Sequence, residues 1–180
     1  MIEIKDSGER QEFETGAVRD IQEGKGRCDL MPLDIIESLS HSFFDILFND
    51  VLLNISYFIE NEDISNLYNV LNEFIYSTYG TGEKNFLVAM LELSKHFESG
   101  AKKYGERNWE KGIPIHCYID SAVRHFLKYA AGEKDEPHDR AFMWNIVCCI
   151  WTMKNKPEFC RQKAPVSRTG AFLMTAGRQA

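Results

Sequence analysis

No C-x-x-C pair occurs in this chain, and its five cysteines, Cys28, Cys117, Cys148, Cys149 and Cys160, are an odd number. With no signal-like N-terminus either, neither a disulfide framework nor a standard zinc site is indicated, and a reducing, cytoplasmic compartment is expected. Basic residues are in the minority: 21 Lys and Arg stand against 27 Asp and Glu, for a net charge of -6. That balance argues against a surface for duplex nucleic acid, which is held by an excess of cations. The longest apolar run, Ala141 to Trp151, is interrupted by Asn145. It falls far short of the roughly 20 residues that span a bilayer, so no membrane partner is expected. Alternating strand patterns and Asn-Gly hairpins are also missing.

What is present is helical periodicity, in a chain of 180 residues that suits one domain. Residues 1–30 are polar and glycine-bearing and read as an irregular N-terminal arm, ordered by a ligand or partner. From Pro32, Leu33, Ile36, Leu39, Phe43, Leu47, Val51, Ile55 and Phe58 recur at three- and four-residue steps, predicting an amphipathic helix with a break near Asn49 and Asp50. A second helix is predicted over 64–79, with Asp63 as N-cap and Gly80 past its end. The third, over 84–103, carries Leu87, Met90, Leu91, Phe97 and Ala101 on one side. The fourth covers 115–131 behind Pro114 and stops at Gly132. The fifth, from 135–137 to 154, is apolar nearly all round and is the expected central helix, with Asp135 as its cap. The expectation is an all-α bundle of about five helices: arm 1–30, helical nucleotide-binding domain 31–154, irregular tail 155–180.

The richest chemistry lies in the third quarter. Lys102 to Trp109 reads KKYGERNW, and the helix after it carries Ser121, Arg124, His125 and Lys128. Cations of this kind pair with phosphate oxygens, and Tyr104 or Trp109 can stack on a base. Arg124 and Lys128 lie one turn apart, as a phosphate clamp or a solvated basic face. Glu98 falls on the same side as Leu87, Leu91 and Ser94. An inward carboxylate there needs a metal, a proton or a partner such as Lys102. Glu133, Asp135, Glu136 and His138 crowd within six positions, a candidate site for Mg²⁺ or Mn²⁺, with His138 suiting Mn²⁺ better. His125 flanks the apolar stripe, where a structural role competes with a ligand role. Asn145 is the strongly polar residue of the most apolar segment, fit to bond a neighbouring helix or a base edge. Glu23 to Arg27 lacks the spacing of a Walker phosphate loop, and Cys117 beside His116 has no thiol-protease signature.

Several ordered blocks, Thr15 to Asp20, Gly24 to Arg27 with Asp29-Leu30, Gly100 to Gly105 with Asn108-Trp109, and Ser121-Ala122 with Arg124-His125, resemble one phage and bacterial family. Gly132-Glu133, Asp135, His138 and Trp144-Asn145 continue the likeness. The family is the dATP/dGTP diphosphohydrolase, N-terminal-type domain, associated with the MazG-like all-α nucleotide pyrophosphohydrolases. The likeness implies hydrolysis of a purine (deoxy)nucleoside triphosphate to monophosphate and pyrophosphate, in a dimer or tetramer, in the host cytoplasm if the chain is phage-encoded. It raises Glu92, which matches an acidic position before the GAKKYG block. On this reading Glu92, Glu98, Glu133, Asp135 and His138 hold metal, and Glu98 or His125 orients the attacking water. Lys102, Lys103, Arg124 and Lys128 hold phosphates, Tyr104 or Trp109 stacks, and Asn108 or Asn145 reads the base. The E-E-x-x-E and E-x-x-D motifs of MazG-type enzymes are not present in order. A non-catalytic protein that sequesters a nucleotide or nucleotide-derived signal is therefore the alternative, and a plain helical assembly module a third.

Overall fold

A computed structural model describes residues 10–20 and 46–160. Five α-helices run through the second span. They are α1 (Ile46–Asn61), α2 (Ile64–Tyr79), α3 (Glu83–Tyr104), α4 (Ile115–Ala130) and α5 (His138–Asn155). This is the expected all-α bundle. No helix among the described residues is long and apolar enough to cross a membrane.

Local chemistry accounts for most boundaries. Asp63 sits extended before α2 and accepts from Ser65 N at 2.9 Å, the N-cap that its residue type predicts. Leu67, Val70, Phe74 and Ile75 then recur at helical steps and are all buried. The α4 and α5 helices pack along one another, and Phe74 joins them through Phe126, Tyr129 and Phe142, at ring separations of 6.3, 5.2 and 4.4 Å. Between α4 and α5 the chain turns at Gly132, whose φ of 76° a side chain would strain. That turn swings Glu136 and His138 back beside His125.

Four expectations change. The α1 helix is continuous through Asn49 and Asp50, and residues 33–45 of the expected first helix lie outside the described residues. Asp135 does not cap α5: Pro137 is the N-cap residue, and the Asp135 carboxylate accepts from His138 Nε2 instead. The arm, where described, is not irregular. Arg10–Glu12 (β1) and Val18–Asp20 (β2) form an antiparallel hairpin, with Arg10 opposite Asp20 and Glu12 opposite Val18. The side of α3 expected to face the core does so only in part: Met90 and Phe97 pack against the core, but Leu87 and Leu91 are 60% and 64% exposed, while Ala89, Leu93 and His96 are buried. The helix carries two apolar stripes, and the neighbouring helices cover the narrower one. Glu98, which shares the outer side, is exposed and ion-paired with Lys102. The described part of the tail contains a 3₁₀ turn over Pro157–Phe159, and residues 161–180 lie outside the described residues.

Candidate functional site

The blocks that stand out in the sequence meet through the hairpin. Asn108, buried in the 3₁₀ turn Asn108–Lys111, clasps the β2 backbone from both sides: its Oδ1 accepts from Val18 N at 3.1 Å and its Nδ2 donates to Val18 O at 2.9 Å. Thr15 Oγ1 donates to Gly112 O at 2.9 Å, and Ala17 is fully buried. At the far end of β2, Asp20 receives Lys103 Nζ and Tyr104 OH, each at 2.8 Å. Between them Arg19 Nη2 donates to Asn145 Oδ1 at 2.9 Å, and its guanidinium lies over the Tyr118 ring. Asn145 Nδ2 in turn donates to Ala141 O.

Lys103, Tyr104, Asn108 and Asn145, expected to touch ligand, are thus engaged in seating the hairpin. Trp109, the expected base-stacking plate, packs edge-on against Phe97 and Trp151 at 5.7 and 4.9 Å. The phosphate clamp expected from Arg124 and Lys128 has carboxylates after all. Arg124 pairs with fully buried Asp120 one turn earlier, and Lys128 bridges Glu133 and Asp135 at 3.1 and 3.3 Å. Lys102 is exposed beside Glu98. Glu92 pairs with Arg140 and Lys95.

Two groups of potential metal ligands converge among the described residues: Glu133, Asp135 and His138, and His125, Glu136 and His138. Glu92 and Glu98 belong to neither, so the five expected metal ligands do not gather into one cage. In the first group the carboxylates already share Lys128. In the second, His125 Nδ1 lies 3.1 Å from His138 Nδ1, and both lie 3.5 Å from Glu136 Oε1. Burial, followed by the neighbouring His138, holds the His125 imidazole well below its ordinary pKa. It is a neutral lone-pair donor at pH 7. The His138 Nε2 hydrogen bond holds the Asp135 carboxyl at about 2.

Further buried side-chain nitrogens sit on β2, α3 and α5. Arg19 Nη1, Arg140 Nε and His96 Nδ1 are shielded from solvent and find no hydrogen-bond partner among the described residues. Burial lowers the pKa of the Arg19 guanidinium, with Arg124 adding to the effect, and pushes His96 down to about 4, helped by Arg140. The electrostatic influence of both Arg19 and His96 reaches His125. A buried guanidinium nitrogen without a partner among the described residues, near neutral imidazoles, suits a polyanion.

The site residues expected from the sequence do not include Arg19, Asp20, His96, Asp120 or Arg140. Two had a legible signal: Asp120 is four residues before Arg124, and His96 follows Ala89 and Leu93 around the buried stripe. The hairpin contacts span 83 to 126 positions and leave no local trace.

No match was found among curated proteins or solved structures. Residues 83–162 do match a family model, from the start of α3 to just past the last 3₁₀ turn, so that the α3–α5 seam with its histidine cluster lies inside it and the hairpin outside. Over this segment the chain is similar to the family described as dATP/dGTP diphosphohydrolase, N-terminal.

Proposed function

We propose that the protein is a divalent-cation-dependent diphosphohydrolase that converts a purine (d)NTP to (d)NMP and pyrophosphate. The family match supplies the reaction class. The observation that supports the assignment to this seam is the buried guanidinium nitrogen Arg19 Nη1, which has no hydrogen-bond partner among the described residues and belongs to a side chain whose charge reaches His125 of the His125, Glu136 and His138 cluster.

Arg19 reaches the seam from β2, held in direction by Asn145, and Arg140 lies in the first turn of α5, held by Glu92 and close to His96. Their free N–H groups bind phosphate oxygens, and the paired Arg124 adds positive potential behind them. The imidazole and carboxylate cluster positions the attacking water, which breaks the bond between the α-phosphorus and the bridging oxygen and releases pyrophosphate. Mg²⁺ or Mn²⁺ accompanying the triphosphate supplies charge neutralisation and an acidified water. Glu98 stands outside this scheme, being tied to Lys102 on the outer side of α3.

A homo-oligomer is part of the same reading, and the apolar surface of α3, with Phe86, Leu87, Val88 and Leu91 exposed, supports it. Incubation of purified protein with each dNTP and Mg²⁺ or Mn²⁺, followed by detection of pyrophosphate, tests the reaction. Release from dATP or dGTP is expected. No turnover of any triphosphate would reject it.

A further inference from the structure

We propose that His125 Nδ1, His138 Nδ1 and Glu136 Oε1 form a binding site for one zinc-class transition-metal ion, supported from behind by Asp135. This goes beyond the oxygen-preferring cation that accompanies a triphosphate. Its ligation chemistry stands on geometry alone; its role in positioning water rests on the function proposed above.

The three donor atoms are 3.1, 3.5 and 3.5 Å apart. Ligands about 2.0–2.1 Å from a tetrahedral ion stand about 3.3–3.4 Å from one another. A point about 2.05 Å from all three atoms exists, about 0.6 Å out of their plane, close to where a tetrahedral centre lies above its base. The 3.5 Å separations between imidazole and carboxylate are longer than ordinary hydrogen bonds. They are ordinary ligand-to-ligand spacings.

The outer shell is also built. His138 Nε2 lies 2.8 Å from Asp135 Oδ1, which fixes the proton on Nε2 and aims the Nδ1 lone pair at the cluster. His138 is almost wholly enclosed, and its ring stays put. Glu136 is largely buried, and among the described residues no lysine or arginine lies within ion-pair distance of it. Lys128 is committed to Glu133 and Asp135. Two imidazoles and one carboxylate favour a borderline ion such as Zn²⁺ or Co²⁺ over Mg²⁺. Three protein ligands leave a fourth position for water or a phosphate oxygen, the pattern of catalytic zinc sites.

The test uses full-length, tag-free protein without nucleotide, stripped with EDTA and titrated with Co²⁺, with visible ligand-field bands as the readout. Zn²⁺ competition and elemental analysis give stoichiometry. One ion per chain is expected. Asp135→Asn should weaken binding about 10- to 100-fold through the outer shell. Glu136→Gln and His125→Asn should weaken it more, while His116→Asn, the exposed histidine beside Cys117, should leave it unchanged. Near-ultraviolet circular dichroism verifies the fold, and the wild-type titration stands without any variant. Absence of a stoichiometric site in the wild type, or unchanged binding in folded Glu136→Gln and His125→Asn, overturns the inference. Nucleotide hydrolysis without this site would sink this inference alone; the site without hydrolysis would sink the proposed function alone.

Discussion

Removing the Asn108 side chain should loosen the hairpin without unfolding the bundle. In Asn108→Ala, β2 loses its 3.1 Å and 2.9 Å hydrogen bonds to the carboxamide. Each is worth about 0.5–1.5 kcal/mol net, so docking weakens by about 1–3 kcal/mol. At about 1.4 kcal/mol per tenfold, the undocked population rises roughly 5- to 150-fold. The ties from Thr15 to Gly112, Asp20 to Lys103 and Arg19 to Asn145 remain, so docking stays favoured. Amide hydrogen exchange at Val18 reads the change directly, because that N–H is the one bonded to Asn108 Oδ1. Its protection should fall by the stated factor, while Val123 in the core of α4 exchanges as before. Asn108→Asp keeps the acceptor but sets a carboxylate against Val18 O, and should loosen the hairpin at least as much. Wild-type protection of Val18 in Asn108→Ala would refute the claim that this side chain holds the strand.

Three further outcomes follow. Arg19→Ala removes a guanidinium with a buried, unpartnered nitrogen from the seam, and kcat/KM for the triphosphate should drop about 10- to 150-fold, the value of a charged hydrogen bond; unchanged kinetics would remove Arg19 from the phosphate site. His96 is neutral in the fold, with a pKa near 4 against 6.5 ordinarily, so the unfolded chain binds more protons between those values. Its contribution is therefore flat above pH 6.5 and costs up to about 3 kcal/mol as pH falls towards 4. Denaturant unfolding across pH 4–7 should show this acid limb shrinking in His96→Leu. Finally, light scattering should find the wild type as a dimer or tetramer, and Leu87→Glu with Leu91→Glu, which places charge on the exposed stripe of α3, should shift it to a monomer.

Periodicity made the helices from 64 to 155 legible, because repeated three- and four-residue spacing, Asp63 and the glycine stops are local signals. The face of α3 was not, since Leu87–Leu91 and Ala89–Leu93 are equally apolar and only the packing of its neighbours chooses between them. Charges were harder still. Residue type marked Lys103, Tyr104, Asn108 and Asn145 as polar groups in unusual places, which they are. Their partners sit on a hairpin more than 80 positions away in sequence, so hydrogen bonds that seat Val18, Arg19 and Asp20 read in the sequence as ligand contacts. The GEKDEPH turn stood out correctly as a cluster. What the sequence could not supply was that His125, one helix earlier, faces its Glu136 and His138.

Hydrolysis of dGTP and dATP by the full chain in ¹⁸O-labelled water, followed by ³¹P NMR and mass spectrometry, tests the central claim most directly. Attack at the α-phosphorus places the label in the nucleoside monophosphate and leaves the pyrophosphate unlabelled. Intact triphosphate after long incubation, or label appearing in orthophosphate, would contradict it.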